Sequence, residues 1–338
     1  MKERLRMPAE WEPHAATWLA WPHAVTTWPG CLEDAEREFE FFVRTLAEFE
    51  RVELLVQSEA HRARIAELLG AIARDGAVRM HVIQTDDVWM RDIGPTFVRG
   101  ASGLVALDWT FNAWGGKYAP WDRDDAVAAQ VATLAGVACE RPGVVLEGGA
   151  IEVDGEGTLL ATEPTLLDPK RNPGIDKAAI DALALELLGT RKTIWLGDGI
   201  LGDDTDGHID DIARFTSPGR VVCAREPDPL DPNHAPLEDC ITRLRAARDA
   251  AGRALEVIDL PMPPPVLADG DRLPASYANF YIANSAVLVP VFGAAADEQA
   301  LSVLRPLFPG RQLVGVPSRA LVRGLGSVHC LSQQQPLT

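Results

Sequence analysis

The chain has 338 residues, of which 47% are apolar, and it carries a formal net charge of −17. This apolar share is enough for a large folded core and excludes extended disorder over most of the chain. The excess of acidic residues argues against a nucleic-acid partner, because phosphate binding needs clustered Lys and Arg.

The cysteines and the first residues indicate the cellular setting. Five cysteines are spread along the chain without a C-x-x-C pair, which argues against a disulfide framework and against a cysteine-rich zinc module. The opening stretch MKERLRMPAEWEPH lacks the apolar core of a secretory signal, and no apolar run approaches the span of a bilayer. We therefore predict a cytoplasmic protein with free thiols and no membrane contact.

Two kinds of β-segment alternate along the chain. The first kind is a short apolar strand, usually preceded by a hairpin partner as in TFVRGASGLVALD, and it is predicted at 17–21, 104–108, 158–162, 221–225 and 287–291. The second kind follows a helical stretch and is predicted at 80–85, 144–149, 193–198, 255–260 and 313–318. Helical spacing of apolar residues between them predicts amphipathic helices at 122–136, 175–189, 236–252 and 297–307.

The repeating unit is strand, turn, strand, helix, strand, and five units follow one another at roughly sixty-residue spacing. The first unit has an extra strand at 52–56 and an extra helix at 58–73, and it lacks an N-terminal hairpin partner. We predict that SVHCLS, residues 327–332, supplies this partner by pairing with 17–21. This pairing would close a radial array and place Cys330 on the closing strand. A doubly wound open sheet is the alternative, although it does not predict five matching units.

Conspicuous polar residues follow several strands of the second kind. They are Asp86, Asp87, Trp89, Arg91 and Asp92 in HVIQTDDVWMRDIGPT, Glu147 in VVLEGG, and Asp203, Asp204, Asp206, His208, Asp210 and Asp211 in TIWLGDGILGDDTDGHIDD. Each has an ordinary explanation when taken alone, since Asp-rich loops cap helices and glycines form turns. Equivalent ends of units in a radial array face one centre, however, so we expect these side chains to converge.

Together the candidates comprise one cysteine, one histidine and several carboxylates. A cysteine with a histidine suggests nucleophilic catalysis. Negative charge raises the pKa of a thiol and would hinder a peptidase, but it suits a cationic substrate such as a guanidinium, which two carboxylates can bind bidentately. The sequence has no paired metal-ligand spacing and no phosphate loop, so neither a metal nor a cofactor is expected.

Seven stretches carry a family resemblance that covers nearly the whole chain. MPAEWEPHAATWLAWP, DDVWMRDIGPTF, FNAWGGKY, LEGGAIEVDGEGTLLATE, GDDTDGHIDDIARF, ASYANFYIAN and SVHCLSQQQP together resemble the agmatine deiminases, also called agmatine/peptidyl-arginine deiminases. The resemblance implies the five-bladed α/β-propeller of guanidino-group modifying enzymes, formed by residues 1–338 as a single domain.

The resemblance also implies roles for individual residues. Cys330 matches the nucleophile, His208 the general acid/base, Glu147 the carboxylate that orients this histidine, and Asp92 and Asp210 the pair that grips the guanidinium. At the periphery of the site, Trp89 and Trp114 resemble aromatic walls, and Asp204 could meet the distal amine of agmatine. One motif departs from the family, which usually reads Gly-Gly-Gly-Asn-Ile-His-Cys where this chain reads GLGSVHC, with Leu325 and Ser327.

The activity implied is hydrolysis of agmatine to N-carbamoylputrescine and ammonia through an S-alkylthiouronium intermediate on the cysteine. No cofactor or metal is implied, a homodimer is compatible with the family, and the other four cysteines are interpreted as packing or surface residues. Two alternatives stay open. One is a deiminase of free or peptidyl arginine, whose α-carboxylate Arg91 or Arg171 could bind. The other is a non-catalytic propeller that binds amines or partner proteins, which the complete set of Cys, His, Glu and Asp disfavours.

Overall fold

A computed structural model describes residues 5–338 and has a mixed α/β architecture. Five sheets repeat one scheme, in which a strand pairs antiparallel with its neighbour and this neighbour pairs parallel with an outer strand. The sheets contain β1 (His14–Ala20), β2 (Val52–Val56), β3 (Val78–Val82) and β18 (Gln333–Pro336); β4 (Thr96–Gly100), β5 (Gly103–Leu107) and β6 (Ala138–Glu140); β7 (Glu152–Val153), β8 (Thr158–Thr162) and β9 (Lys192–Leu196); β10 (Ala213–Ser217), β11 (Arg220–Arg225) and β12 (Glu256–Pro261); and β15 (Tyr281–Ile282), β16 (Ala286–Val291) and β17 (Gln312–Pro317). A small hairpin of β13 (Leu267–Ala268) and β14 (Asp271–Arg272) stands apart from them.

Helices lie between the strands, and most of them connect the second strand of a sheet to its outer strand. They are α1 (Leu32–Leu46), α2 (Glu59–Leu69), α3 (Ala71–Arg74), α4 (Met90–Ile93), α5 (Ala113–Gly116), α6 (Asp122–Asp125), α7 (Val127–Ala135), α8 (Glu163–Leu166), α9 (Lys177–Leu187), α10 (His234–Ala246) and α11 (Ala295–Leu304), with short 3-10 helices at Gly148–Ala150, Ile209–Asp211, Arg305–Leu307 and Leu321–Gly324. Within residues 5–338, no helix is both long and apolar enough to cross a membrane.

Local sequence explains where the main helices begin and which face they bury. Ser58 and Asp176 cap α2 and α9 by accepting hydrogen bonds from the backbone N–H groups of His61 (3.1 Å) and Ala179 (2.8 Å). In α1, the buried side chains recur at helical spacing and form one apolar stripe, made of Ala35, Phe39, Phe42, Val43 and Leu46. This stripe allows α1 to pack against β17 of the last sheet, and α10 packs in the same way against β9 and β11 of two neighbouring sheets.

The two ends of the chain pair with each other, which confirms one prediction and corrects its details. β18 runs antiparallel to β1, with Trp18 opposite Gln333. The closing strand is therefore Gln333–Pro336, whereas residues 327–332 were predicted. Those residues form a turn instead, because the side chain of Asn279 accepts a hydrogen bond from the backbone of His329 (3.0 Å). Cys330 consequently lies in the turn before the closing strand, and its predicted place on that strand is wrong.

The strand predicted at 144–149 is also wrong. The outer strand of the second sheet is β6, Ala138–Glu140, which pairs parallel with β5. The segment forms a single parallel bridge, between Thr110 and Val145, while the amide of Asn172 hydrogen-bonds both the N–H (3.0 Å) and the C=O (2.7 Å) of Val145, so the pairing does not extend into a strand. The segment then turns into the 3-10 helix Gly148–Ala150, which directs the preceding Glu147 inward.

Candidate active site

The turns and short helices that follow the sheets bring the five predicted catalytic residues together. Asp92 lies in α4, Glu147 precedes the 3-10 helix Gly148–Ala150, and His208 precedes the 3-10 helix Ile209–Asp211, which contains Asp210. α4 packs against Gly148–Ala150, which packs in turn against Ile209–Asp211, and the turn carrying Cys330 contacts α4 through a hydrogen bond from the N–H of Arg91 to the carbonyl of Cys330 (3.0 Å). All five side chains are buried.

Asp92 is fixed through both carboxylate oxygens. Oδ1 accepts a hydrogen bond from the backbone N–H of Gly149 (2.9 Å), and Oδ2 accepts one from Nε1 of Trp114 (3.0 Å). Burial, followed by repulsion from Asp210 and Glu147, raises the pKa of Asp92 to about 8 despite these donors. The free site therefore holds a proton here near neutral pH, which an arriving cation can displace.

His208 lies between two carboxylates without a close contact to either. Its Nδ1 is 3.8 Å from Oδ1 of Asp92, and its Nε2 is 4.0 Å from Oε2 of Glu147. Nε2 is buried without a hydrogen-bond partner. Burial lowers the pKa of His208 to about 3, so the resting imidazole is neutral. A neutral imidazole with a free nitrogen can accept a proton from a neighbouring group.

Glycine at position 149 gives the imidazole its space. A Cβ atom there would lie 2.5 Å from Nδ1 of His208 and 3.0 Å from Oδ1 of Asp92, both too close for an ordinary contact. The loop that carries the histidine is held by Asp203, whose Oδ2 accepts hydrogen bonds from the backbone N–H groups of Gly207 (2.9 Å) and His208 (3.1 Å). Asp203 thus fixes the backbone of the loop at Gly207 and His208.

Glu147 is completely buried and paired with Arg171. Nε of Arg171 donates to both carboxylate oxygens, at 2.8 and 3.0 Å. The remaining guanidinium nitrogens of Arg171 donate to Asp168 (3.0 Å), Asp206 (2.9 Å) and the carbonyl of Thr205 (2.9 Å). Burial nevertheless raises the pKa of Glu147 above its usual value, although Arg171 opposes this shift. Arg171 therefore joins Glu147 to the loop before His208.

Cys330 faces an amide and a carboxylate. Its Sγ lies 3.0 Å from Nδ2 of Asn279 and 3.7 Å from Oδ2 of Asp210. Burial raises the pKa of this thiol well above its usual value, and the nearby carboxylates of Asp210, Asp211 and Asp92 raise it further. The resting sulfur is a thiol, and a bound cation would favour its ionisation.

Asp210 is held by a second histidine next to the nucleophile. Oδ2 of Asp210 lies 2.7 Å from Nδ1 of His329, and its Oδ1 is buried without a hydrogen-bond partner. Burial raises the pKa of Asp210, but the hydrogen bond and charge of His329 outweigh this and hold the pKa below its usual value. One oxygen therefore remains free for a ligand while the other is fixed.

Asn279 connects this carboxylate to the nucleophile turn. Its Oδ1 accepts hydrogen bonds from Ser327 Oγ (2.8 Å) and from the N–H of His329 (3.0 Å), while Nδ2 faces Cys330 and the carboxylates of Asp210 (3.3 Å) and Asp211 (3.1 Å). Ser327, which replaces the usual asparagine of the family motif, thus helps to orient this amide. The other departure, Leu325, adopts a left-handed backbone conformation with φ 71°, which usually favours glycine.

The three residues predicted to bind substrate lie around this centre, and they differ in the groups that hold their side chains. Trp114 contacts Asp92 directly, as described above. Trp89 is buried, stacks near Trp28 with 5.6 Å between ring centroids, and lies where a Cβ at Gly326 would be 2.5 Å from its ring. The carboxylate of Asp204 is partly exposed. It accepts a hydrogen bond from the hydroxyl of Tyr118, and Nζ of Lys117 lies 3.4 Å from it.

Within residues 5–338, one set of side chains is close enough to hold a metal ion. Ligand atoms of Asp210, Asp211 and Cys330 lie within 4.8 Å of one another. All three of these groups contact the amide of Asn279, and Oδ2 of Asp210 is occupied by His329. The same grouping of oxygens around a thiol suits a planar guanidinium, whose N–H donors require acceptors on more than one side.

Four contributors to the site were not assigned a role there from the sequence: Arg171, Asp211, Asn279 and His329. The sequence suggests Arg171 only as a partner for a substrate carboxylate. Asn279 lies in ASYANFYIAN, and His329 directly precedes the nucleophile, so both stood in stretches that carried the family resemblance. Their partners are 48 to 319 residues away in the chain, and no local pattern indicates such contacts.

Comparison with known proteins gives a consistent result. The family model of the Porphyromonas-type peptidyl-arginine deiminases matches residues 6–336. A protein of Stutzerimonas stutzeri described as agmatine deiminase is 41% identical, with 98% of this chain and 95% of the relative covered. The solved structure of agmatine deiminase of Enterococcus faecalis has a TM-score of 0.93 and 34% identity, covering 98% of this chain and 96% of that one. A C. jejuni agmatine deiminase in which a cysteine is replaced by serine, solved with substrate bound, has a TM-score of 0.90 and 31% identity, covering 98% and 96% of the two chains.

Proposed function

This chain belongs to the Porphyromonas-type peptidyl-arginine deiminase family, and we propose that it hydrolyses the guanidinium group of agmatine to N-carbamoylputrescine and ammonia. One observation carries the proposal. A thiol and a neutral imidazole with an unpartnered nitrogen lie in a buried site among several carboxylates. This arrangement suits a cationic substrate that is attacked by sulfur.

The first half of the reaction forms the covalent intermediate. The guanidinium binds between Asp92 and Asp210, and Asp92 gives up its proton to the solvent. The positive charge lowers the pKa of the thiol, so His208 takes the proton of Cys330 and the thiolate attacks the guanidinium carbon. The imidazolium, stabilised by Glu147 and Asp92, then returns this proton to the departing amino group, which leaves as ammonia.

The second half consumes one water molecule. The covalent intermediate is an S-alkylthiouronium, in which sulfur is bonded to the former guanidinium carbon. Neutral His208 removes a proton from water, whose oxygen attacks this carbon, and the carbon–sulfur bond breaks to release the ureido product. The proton on the new hydroxyl group passes to Asp92 as the sulfur leaves as a thiolate, and the thiolate recovers its proton from the imidazolium, so Asp92, His208 and Cys330 all return to their resting forms. Apart from the proton released to the solvent on binding, every proton is carried by residues of this chain, so the scheme requires no cofactor.

Agmatine is favoured over free or peptidyl arginine because the arginines considered for an α-carboxylate are already engaged. Arg91 is buried and donates to Gln334 (2.7 Å) and Glu10 (3.3 Å). Arg171 is buried and paired with Glu147, Asp168 and Asp206, as described above. Asp204 remains our candidate for contact with the distal amine, and Trp89 and Trp114 our candidates for the walls of the site.

The broader organisation is part of the same proposal. The five similar sheets and the pairing of β18 with β1 support a five-bladed α/β-propeller built from residues 1–338 as one domain. We further propose a cytoplasmic enzyme without nucleic-acid or membrane partners, and a homodimer as its assembly.

Ammonia release by the purified protein tests the proposal against its alternatives. Agmatine, free arginine and an arginyl peptide are supplied separately at equal concentrations. We expect kcat/KM to be highest for agmatine. A preference for arginine or the peptide would transfer the same chemistry to another substrate, and no release from any of the three would support a non-catalytic amine-binding protein.

A further inference from the structure

His329 is held differently from His208, although both lie beside the carboxylates of the site. Nδ1 of His329 is 2.7 Å from Oδ2 of Asp210, and Nε2 is 2.8 Å from Oε2 of Glu10. The ring is 1% exposed. Each ring nitrogen therefore points at a carboxylate oxygen, whereas Nε2 of His208 has no hydrogen-bond partner.

The carboxylate of Glu10 is surrounded by donors. Its Oε1 accepts hydrogen bonds from Arg214 Nη2 (2.9 Å) and the N–H of Ile282 (2.7 Å), and its Oε2 accepts one from Arg91 Nη2 (3.3 Å). Burial raises the pKa of Glu10, but Arg214, His329 and Arg91 together hold it well below its usual value. An ionised carboxylate can only accept hydrogen bonds, so Nε2 of His329 has to carry a hydrogen.

The same reasoning applies on the side of Asp210. Titratable groups reach its surroundings from every neighbouring element: Asp92 from α4, His208 and Asp211 from the loop and 3-10 helix around it, Arg214 from β10, and Cys330 and His329 from the turn before β18. Three of these groups are acids, namely Asp92, Asp211 and the thiol of Cys330. The amide of Asn279 donates to Asp211 and Cys330. His329 alone has a contact as short as 2.7 Å with Asp210, and Arg214 is the other basic group in these surroundings besides His208.

We propose that His329 is a positioning residue that carries a permanent positive charge and keeps Asp210 ionised before substrate arrives. The ionised Asp210 gives a site crowded with acids its affinity for a guanidinium. This inference rests on the proposed function, since it concerns how the same site receives agmatine. Asp210 then presents a charged oxygen to the cation, and Asp92 is left as the acid that gives up a proton on binding.

Counting protons tests this directly. Agmatine is titrated calorimetrically into the Cys330→Ser protein in two buffers of different ionisation enthalpy, which reveals how many protons binding releases. At about pH 7 we expect about one proton per agmatine, because Asp92 is the protonated carboxyl that the guanidinium contacts directly. In the Cys330→Ser/His329→Gln protein, glutamine retains an amide donor towards Asp210 but removes the charge. We then expect close to two protons and a dissociation constant at least roughly tenfold weaker.

His14 offers a matched control. It is also buried, with Nδ1 3.2 Å from Oε1 of Glu50 and Nε2 2.7 Å from the carbonyl oxygen of Glu10. His14→Gln in the same Cys330→Ser background should lower thermal stability and leave the proton count near one. An unchanged proton count and a dissociation constant within about twofold in the His329→Gln protein would overturn the proposal.

Neutron diffraction from crystals of the unaltered protein decides the point even if His329→Gln does not fold. Deuterium on both Nδ1 and Nε2 of His329 is the expected result, and a bare ring nitrogen would overturn the proposal. If the Cys330→Ser protein with His329 in place does not bind agmatine, the proposed function fails, whereas the neutron result still decides the charge of His329.

Discussion

The Glu147→Gln substitution removes one negative charge beside His208 and nearly preserves the shape of the side chain. Oε2 of Glu147 lies 4.0 Å from Nε2 of His208, which becomes an imidazolium when it takes the proton of the thiol. The charged intermediate therefore loses a stabilising partner, while the resting neutral imidazole loses little. We expect kcat to fall more than KM changes, because the interaction strengthens only as the reaction proceeds.

The magnitude follows from this separation. Two unit charges 4.0 Å apart interact by about 4 kcal/mol at an effective dielectric constant of about 20. Arg171 already neutralises part of the carboxylate charge, so roughly half of this value remains, about 2 kcal/mol. A barrier raised by that amount lowers kcat by about 30-fold.

Steady-state ammonia release by the Glu147→Gln protein gives kcat and KM, and a thermal melt monitors folding. Glu53→Gln is the matched control, because Glu53 is also buried and paired with an arginine and a histidine, Arg51 at 2.9 Å and His81 at 2.7 Å. Both variants should lose stability, and the control should keep its kcat. If kcat of Glu147→Gln stays within about threefold of the unaltered enzyme, the imidazolium does not depend on this carboxylate.

Three further results are expected. Because the pKa of Asp92 is raised to about 8, protons compete with agmatine below that value, so KM should fall as pH rises towards about 8 and then level off; a KM that is constant over this range contradicts the proton assigned to Asp92. Asp204→Asn should raise KM for agmatine with a smaller change in kcat and raise the arginine-to-agmatine ratio of kcat/KM roughly tenfold; unchanged selectivity would mean that Asp204 serves only Lys117 and Tyr118. Exhaustive chelation should leave ammonia release unchanged, whereas a loss restored by zinc would make Asp210, Asp211 and Cys330 a metal site.

The repeated unit of the fold could be predicted because its signals are local. Apolar strands, turn residues and helical spacing recur in each unit, and four of the five predicted outer strands correspond to β3, β9, β12 and β17. The fifth, at 144–149, was misplaced because an apolar run that follows a helix looks like a strand whether or not it pairs. Here the segment pairs at one bridge, Thr110 to Val145, and the amide of Asn172 bonds the N–H and C=O of Val145, so no longer strand forms.

The closing strand was misplaced for a related reason. SVHCLS is apolar and QQQP is polar, so the apolar stretch looked like the better strand. Gln333 lies in a buried environment in which its amide donates to the carbonyl of Pro95 (2.8 Å), and Trp18 donates from Nε1 to the amide oxygen of Gln335 (2.9 Å). Buried amides with partners are compatible with a strand, but those partners lie in distant parts of the chain.

The residues of the candidate site also divide into those that the sequence indicates and those that it does not. Side chains that can bond to or transfer protons with a substrate have distinctive chemistry, and the family resemblance adds their order, so Cys330 and His208 could be named from the sequence. Arg171, Asn279 and His329 contact other side chains of the site. Their partners are defined only when the turns converge, so their contribution could not be read from residue type and spacing.

The covalent bond between Cys330 and the substrate carbon is the central claim, and mass spectrometry of acid-quenched enzyme tests it most directly. Enzyme mixed with agmatine is quenched within its first turnovers, digested and analysed for the peptide that contains Cys330. We predict an adduct on this peptide with the mass of agmatine less ammonia, and no adduct on Cys31, Cys139, Cys223 or Cys240. The Cys330→Ser protein should bind agmatine and retain less than about a hundredth of kcat. Turnover above that level, or ammonia release without any adduct on Cys330 at any quench time, would contradict the account.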